Sequence, residues 1–306
     1  MNHTDEKNLS LPIVGAPSKM FGALEEEFSN FKKAKAVIYQ VPFDKTTTYI
    51  HGTSMGPAAV IDASRYLERY DDELNQETFK IGIHTMDALA VEKLSSEEMV
   101  ARVAAQASEL IKAGKFPIML GGEHAVTIGA VRGFKESYPN LSVLHLDAHY
   151  DMRDELFGSK LNHGCVARRI SEVCPVVQAG VRSMSKEEKE YLASPANTRV
   201  KSFSVYDILA RPLWKEAVAD SLTEHVYVTI DLDVFDPSLV PSTGTPEPGG
   251  IGWYELLDLL KTVTKEKKVV GFDIVELCPI PGNVAPDFLA AKLLYRLLGY
   301  VFPVKK

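Results

Sequence analysis

The sequence predicts one α/β domain in which a mostly parallel β-sheet carries helices on both faces. Short apolar runs alternate with helix-like segments along the chain. Runs that are apolar at nearly every position are typical of strands buried on both faces, and such strands belong to parallel sheets covered by helices. The 306 residues contain no internal repeat, low-complexity tract or linker, so we expect a single large domain.

The N-terminal end is expected to form a peripheral arm, residues 1–30, followed by the domain at residues 31–306. The arm contains Pro12 and Pro17 and then an acidic stretch, Glu25–Glu27. The strand-like runs lie within the domain. In chain order they read AVIYQV, FKIGIH, FPIML, SVLHL, PVVQAG, HVYVTI and VVGFDIVE.

Helical segments separate these runs. One follows Gly56-Pro57 and reads AAVIDASRYLERY. A second begins at the cap Ser95–Glu98 and ends at Gly114, because a serine followed three residues later by glutamate is typical of a helix start and glycine of a helix end. Further helices are expected to begin near Thr127, Ser185, Gly252 and Ala285.

Composition excludes several classes of function. The formal net charge of −7 gives no reason to expect nucleic-acid or anionic-membrane binding. The three cysteines, Cys165, Cys174 and Cys278, form no CxxC pair, so a disulfide framework or a thiolate metal site is not expected. The N-terminus is polar and no apolar run reaches the roughly 18–20 residues of a membrane span. We therefore expect a cytoplasmic protein.

Six potential metal ligands stand in three short segments, each directly after a strand-like run. They are His124 in GGEH, Asp147, His149 and Asp151 in DAHYD, and Asp231 and Asp233 in DLDVFDP. Side chains at alternate positions of an extended segment point the same way, and ligands in open α/β sheets gather at the carboxyl ends of strands. The set is rich in oxygen and lacks thiolate, which favours two adjacent divalent cations, Mn²⁺ first, holding a water between them.

Three further side chains are candidates for the site, and two of them have two interpretations. His145 is either a seventh ligand or a buried histidine that supports the ligands. His163, beside a glycine, is unremarkable on its own. Glu276 ends a buried strand, where a carboxylate is costly unless it is paired, so it binds either a cationic ligand or a structural salt-bridge partner. The loop STGTPEPGG lacks the ending of a phosphate loop and is expected to border the active site.

The three motifs, in this order and spacing, resemble those of the ureohydrolases, the family of arginase and agmatinase. The resemblance runs from Pro42 to the C-terminus. It implies a three-layer α/β/α domain around a parallel sheet of eight strands, two Mn²⁺ per subunit and a homo-trimer or homo-hexamer. It also implies hydrolysis of a guanidine to urea and an amine, by attack of a hydroxide held between the metals.

The resemblance also assigns roles to single residues. It implies that His124, Asp147, Asp151 and Asp231 hold one metal. The second metal would be held by His149, Asp147, Asp231 and Asp233, so that Asp147 and Asp231 bridge the two. His163 matches the histidine that exchanges protons with solvent, and Glu276 matches the carboxylate that holds the guanidinium. Since the leaving amine needs a proton, we expect Asp151 to pass one to it.

The segment after DAHYD favours agmatine, cleaved to putrescine and urea. Asp154 and Glu155 stand where arginases carry Ser, Thr and Asn, and acidic groups would accept an amine tail and reject a carboxylate. The alternatives are a longer guanidino-polyamine such as aminopropylagmatine, giving spermidine, or guanidinobutyrate or arginine. A non-catalytic metal-binding relative is a further alternative. Glu123 departs from the commoner GGDH, and the lack of a His-His pair argues against a zinc deacetylase of related fold.

Overall fold

Eight strands form one parallel sheet in the computed structural model, which describes residues 19–304. The sheet order is β2-β1-β3-β8-β7-β4-β5-β6, which confirms the predicted fold class. The strands are β1 Ala36–Val41, β2 Ile83–Thr85, β3 Phe116–Gly121, β4 Leu141–Leu146, β5 Val176–Val181, β6 Val200–Ser204, β7 His225–Asp231 and β8 Lys268–Val275.

Helices connect the strands and cover both faces of the sheet. They are α1 Glu26–Ser29, α2 Gly56–Ser64, α3 Ser96–Lys112, α4 Val126–Ser137, α5 Val166–Ser171, α6 Lys186–Ala193, α7 Val205–Ala210, α8 Trp214–Ser221, α9 Trp253–Glu266 and α10 Ala285–Val301. Within the described range, no helix is long and apolar enough to cross a membrane.

Two hydrophobic clusters, one on each face of the sheet, make the three layers. Successive side chains of a strand point to opposite faces, so Ile38 enters one cluster while Val37 and Tyr39 enter the other. The first cluster contains the apolar faces of α2, α9 and α10, and the second those of α3, α4 and α5. Burial of these faces from water is the main stabilising contribution to the domain.

The predicted helix starts are accurate where side chains cap them. The hydroxyl of Ser95 accepts from the backbone of Glu98, whose carboxylate accepts from the backbone of Ser95. The same reciprocal pair joins Ser185 and Glu188. The helix after Gly56-Pro57, in contrast, was predicted to reach Tyr70 and ends at Ser64.

The strand predicted from FKIGIH is shorter than expected. Residues Thr78–Ile81 form a 3-10 turn, and the strand begins at Ile83. Gly82 separates the two with φ of +80°, and a Cβ there would lie 2.7 Å from Ala34 Cα. Only glycine tolerates both conditions, so the backbone leaves the extended conformation at this residue.

The described part of the predicted arm packs on the domain. Residues 1–18 lie outside the described range. Phe21, 1% exposed, and Leu24, 8% exposed, belong to the first hydrophobic cluster. The backbone N–H of Phe21 also donates to the Thr85 hydroxyl at 2.9 Å. The chain from Phe21 onward therefore contributes to the core.

Gly133→Ala is expected to destabilise the domain without touching the predicted ligands. A Cβ at this position would lie 2.4 Å from the carbonyl oxygen of Ala104 on α3, so α3 and α4 must separate at a cost of about 1–3 kcal/mol. A melting temperature lower than that of the wild type would confirm it. Arg132→Ala, at an exposed position of the same helix, is the control, and equal melting temperatures for the two variants would contradict the expectation.

Candidate active site

The predicted metal motifs follow strands that are neighbours in the sheet. β3, β8, β7 and β4 lie side by side. At their carboxyl ends the chain continues into GGEH, Glu276, DLDVFDP and DAHYD, respectively. Four sequence segments that are far apart in the chain therefore meet at one edge of the sheet, as the parallel architecture requires.

One histidine faces three of the predicted aspartates. His124 Nδ1 lies 3.1 Å from Asp147 Oδ2, 3.3 Å from Asp231 Oδ2 and 3.5 Å from Asp151 Oδ2. All four residues are buried, with Asp151 the most exposed at 6%. This is the set that the resemblance assigned to one metal.

A second group adjoins the first through a shared carboxylate. His149 Nδ1 lies 2.8 Å from Asp233 Oδ2 and 3.6 Å from Asp147 Oδ1. The side chain of His149 is 25% exposed, so this group is the more accessible of the two. Asp147 contributes to both groups, as a bridging ligand would.

Backbone amides hold one oxygen of three aspartates and leave the other free for the site. Asp147 Oδ1 accepts from the His149 amide at 2.5 Å, and Asp231 Oδ1 accepts from the Asp233 amide at 2.9 Å. Asp233 Oδ1 accepts from the Ala148 amide at 2.9 Å. Each Oδ2 then points to a histidine, so the local backbone fixes the geometry of the donor atoms.

The donor atoms fit divalent cations. His124 Nδ1 and Asp147 Oδ2 are buried and have no hydrogen-bond partner, a costly condition that a bound cation would relieve.

Asp151 and Glu276 adopt left-handed backbone conformations, with φ of +51° and +64°. Such conformations are strained for residues with a side chain and concentrate at functional sites.

The electrostatics of the cluster divide the carboxylates into two kinds. Burial, together with the nearby Asp147 carboxylate, raises the pKa of Asp151 well above its usual range, and burial and Asp233 do the same for Asp231. Burial would also raise the pKa of Asp147, but the adjacent imidazoles of His124 and His149 hold it well below its usual range. Burial and repulsion between carboxylates therefore raise the pKa of Asp151 and Asp231, whereas the two neighbouring histidines lower that of Asp147.

Thr229 and Asp273 fix the orientation of the His124 ring from its Nε2 side. Its Nε2 lies 2.9 Å from the hydroxyl of Thr229, which donates to Asp273 Oδ1 at 2.6 Å. Because the Thr229 hydrogen is used in that bond, Nε2 carries the ring proton and Nδ1 presents a lone pair to the site. Thr229 and Asp273 were not predicted, although an aspartate within the apolar run of β8 was the available signal.

His145 lies behind the bridging carboxylate. Its Nε2 is 3.3 Å from Asp147 Oδ2, and its Nδ1 is 3.3 Å from the amide nitrogen of Gln178. Since that amide donates, Nε2 carries the proton and points to Asp147. Burial lowers the pKa of His145 to about 3, so the ring is neutral. This arrangement favours the supporting role over that of a seventh ligand.

A cavity of about 370 Å³ opens onto the cluster and contains both remaining predicted catalytic residues. Glu276 Oε1 accepts from the backbone N–H of His124 at 2.6 Å, and burial raises the pKa of Glu276 to about 8. Burial lowers the pKa of His163 to about 4. Thus Glu276, His163 and the ligand cluster face one space.

Asp154 and Glu155 are not brought to this cavity. Both are exposed, and Asp154 Oδ1 lies 2.7 Å from Arg169 Nη2 with Lys160 close to its other oxygen. Neither residue lines the cavity, so their role as groups that bind the substrate tail stays a prediction. Besides Glu276 and the candidate ligands, the cavity is lined by the acidic side chain of Glu188, which is 4% exposed.

Glu188 escaped prediction because its sequence context indicated only a helix cap. Its carboxylate accepts from the backbone of Ser185 at 2.6 Å and of Met152 at 2.8 Å. Apolar side chains complete the cavity and its rim; they are Tyr49, Ile50, Leu156, Phe157 and Met184. Sequence alone gave no sign that these loops meet.

Comparisons with known proteins identify the family to which this chain is similar. The arginase family model matches residues 34–299. The chain is 38% identical to the N(1)-aminopropylagmatine ureohydrolase of Synechocystis, over 90% of this chain and 92% of the relative. It is also 38% identical to an agmatinase of Pyrococcus horikoshii, over 88% and 93%. The crystal structure of the agmatine ureohydrolase of Thermoplasma volcanium superposes with a TM-score of 0.83 at 31% identity, covering 93% of this chain and 94% of that one.

Asp231→Asn is expected to weaken Mn²⁺ binding at least about tenfold, because it removes a charged donor from the cluster. The same change removes a repelling carboxylate and should raise the melting temperature of the metal-free protein. Calorimetric titration with Mn²⁺ and thermal melting test both effects. Asp236→Asn is the control, since Asp236 accepts from the backbone of Ser238 and Gly249 in the same loop. Equal Mn²⁺ affinities in the two variants would contradict the assignment.

Glu276→Gln is expected to stabilise the metal-free protein at alkaline pH. Burial raises the pKa of Glu276 from 4.5 to about 8, so the native state keeps a proton that the unfolded state loses. Ionisation of Glu276 therefore lowers the free energy of unfolding of the wild type as the pH rises between these values. The variant has no such pH dependence at this position, because glutamine has no charge to bury. The melting-temperature advantage of the variant should grow with pH from about 4 to about 9. An advantage independent of pH, or one equal to that of the exposed control Glu190→Gln, would contradict the expectation.

Proposed function

The chain belongs to the arginase family, and from that premise we propose that it hydrolyses an amine-tailed guanidine, agmatine or its N1-aminopropyl derivative. The coarser activity follows from the relatives, which are ureohydrolases, so the chain is a hydrolase of guanidino groups. The products would be urea and putrescine from agmatine, or urea and spermidine from the longer substrate.

The observation that carries the proposal is a buried carboxylate in the same cavity as the His/Asp cluster. Glu276 can accept two parallel hydrogen bonds from a planar guanidinium, which is a strong and orienting arrangement. The positive charge of the substrate would offset the burial that raises the pKa of Glu276, so the carboxylate ionises when the substrate binds. The guanidinium carbon would then lie against the cluster.

We propose that the cluster holds two Mn²⁺, with the ligand sets that the family resemblance implies. The hard carboxylate oxygens and the imidazoles suit Mn²⁺, and Asp147 contributes to both groups. A metal pair at this position supplies a water acidic enough to act as a nucleophile near neutral pH.

Side chains of the protein would transfer the protons that the reaction requires. Water adds to the guanidinium carbon, and the bond between that carbon and the nitrogen that carries the alkyl chain breaks. That nitrogen takes up a proton and leaves as an alkylammonium, while urea remains. We propose that Asp151 passes a proton to the leaving nitrogen and that His163 exchanges protons with solvent. Placement of the reacting groups within one cavity would provide much of the rate enhancement.

Glu188 is the proposed partner of the amine tail. It is buried and acidic, and Leu156 and Met184 line the same cavity and suit a chain of methylene groups. Arg153 also lines the cavity and would repel an ammonium placed beside it, so we assign the ammonium to Glu188. An α-carboxylate at that position, as in arginine, would be repelled.

The longer substrate is favoured by a second carboxylate beside the cavity. Glu247 Oε1 accepts from the hydroxyl of Ser183 at 2.9 Å, and Ser183 lines the cavity. The side chain of Glu247 is 39% exposed, so it can meet an amine that extends toward solvent. Aminopropylagmatine carries a second amine for this position.

We further propose that the enzyme is cytoplasmic and forms a homo-trimer or homo-hexamer. The mass of the assembly in solution, measured by light scattering, tests the oligomeric state.

The decisive substrate test measures urea release by the Mn²⁺-loaded protein and determines kcat/KM for each of five substrates. They are agmatine, aminopropylagmatine, arginine, guanidinobutyrate and guanidine. We expect an amine-tailed substrate to exceed arginine by at least about 100-fold, because a site that pairs a buried charge discriminates strongly. Preference for aminopropylagmatine over agmatine would identify the longer substrate. Arginine as the best substrate would contradict the proposal.

Glu188→Gln is expected to raise KM for the amine-tailed substrate about tenfold or more while leaving guanidine hydrolysis little changed, because only the tail loses a charged partner. Glu190→Gln, on the exposed face of α6, is the control. An equal effect on guanidine and on the amine-tailed substrate would show that Glu188 acts on the site as a whole and would remove its assigned role.

A further inference from the structure

A buried carboxylate outside the ligand set anchors the loop at the mouth of the cavity. Glu123 is fully buried, and its Oε2 accepts from the backbone amides of Lys45 at 2.7 Å and Thr46 at 2.6 Å. Its Oε1 accepts from the hydroxyl of Thr46 at 2.6 Å. The neighbouring residues Thr47 and Thr48 line the cavity, so Glu123 joins the GGEH motif to the loop above it.

The Thr46 hydroxyl links this carboxylate to His163. The oxygen accepts from the backbone N–H of His163 at 3.1 Å and lies 3.3 Å from its ring Nδ1. A hydroxyl has one hydrogen to donate and two lone pairs to accept with. Its hydrogen is directed to Glu123 Oε1 at 2.6 Å, and Oε2 accepts from two backbone amides, so Glu123 acts as an acceptor through both oxygens. Toward His163 the hydroxyl can therefore act only as an acceptor.

This arrangement determines which ring nitrogen of His163 carries the proton. With the hydroxyl as acceptor, Nδ1 must be the protonated nitrogen. Nε2 then keeps its lone pair, and it lies 3.5 Å from the hydroxyl of Thr48, which lines the cavity.

We propose that Glu123 is a positioning residue that acts through Thr46 to hold neutral His163 as the Nδ1–H tautomer, with Nε2 free to accept a proton from the cavity. The inference deepens the proposed function and rests on it, because it is the hydrolytic reaction that uses a proton acceptor at this position. It also gives a reason for glutamate in GGEH: an aspartate would end one methylene short of the Thr46 hydroxyl.

The test is Glu123→Gln, which replaces one carboxylate oxygen with an NH₂ group and so reverses the direction of the hydrogen bond to the Thr46 hydroxyl. The glutamine oxygen takes the two backbone amides, since an NH₂ group there would oppose two donors. Its NH₂ group then donates to the Thr46 oxygen, whose second lone pair is used by the His163 backbone. The freed hydroxyl hydrogen turns to the ring, so the Nε2–H tautomer becomes favoured.

The readout is the ¹⁵N chemical shifts of the His163 ring in full-length protein labelled with ¹⁵N-histidine, both metal-free and loaded with diamagnetic Zn²⁺. His163→Gln assigns the signals. We expect Nδ1–H in the wild type and a shift of population to Nε2–H in Glu123→Gln. Turnover of the variant should fall roughly tenfold or more, through kcat and not KM, and Thr46→Ser, which keeps the hydroxyl, should retain the wild-type tautomer.

Asp44→Asn is the matched control. Asp44 anchors the other part of the same loop through the Gly52 amide at 2.6 Å and the Thr47 hydroxyl at 2.8 Å. It makes the same carboxylate-to-amide change without contacting Thr46, so the His163 tautomer should not change. A tautomer shift in this control as well would mean that loop mobility and not the Glu123 bond is responsible, and would overturn the proposal.

Two further results would also overturn it: an Nε2–H tautomer in the wild type, or an unchanged tautomer in Glu123→Gln. The proposed function fails separately. A wild type that has the Nδ1–H tautomer but releases no urea from any guanidine would contradict the hydrolytic function, while the assignment of Glu123 as the residue that orients His163 would be upheld.

Discussion

The structure of the candidate site depends on several buried carboxylates that meet at one edge of the sheet. Asp147, Asp231 and Asp233 stand together with little access to water, and like charges in such a place oppose folding unless something compensates them. Part of the compensation is internal, because each has one oxygen bonded to a backbone amide. The free oxygens remain, and they define where divalent cations and substrate would sit.

The rest of the site is built to hold these donors still. Arg182 spreads its guanidinium over the carbonyls of Asp233 and Glu247, both at 2.7 Å, and so ties the third motif and the STGTPEPGG loop to β5. Asp273 orders His124 through Thr229, and Gln178 orders His145. Charged and polar groups behind the ligands therefore fix the directions of the ligands, which is what a metal site needs for affinity and for selective geometry.

The sequence allowed the parallel sheet, most strands and all six candidate ligands to be predicted, because apolar strands and metal motifs are local patterns. It did not reveal β6, whose sequence VKSFS is half-exposed at the sheet edge and mixes polar with apolar residues. It placed the tail-binding acids in the segment of Asp154, which is exposed and does not line the cavity, since proximity in sequence to DAHYD does not mean proximity to the cavity. Glu188, which does line the cavity, is brought there from α6 by tertiary packing, which no local pattern records.

We propose that the His/Asp cluster works as a pair of metal sites for guanidine hydrolysis. The most direct measurement is the rate of urea release from the preferred amine-tailed guanidine as Mn²⁺ is added in steps to chelator-treated protein, with bound metal counted at each step. We expect no turnover without metal and full turnover only as occupancy approaches two Mn²⁺ per chain. Full turnover by metal-free protein, or a rate that saturates at one bound ion, would contradict it.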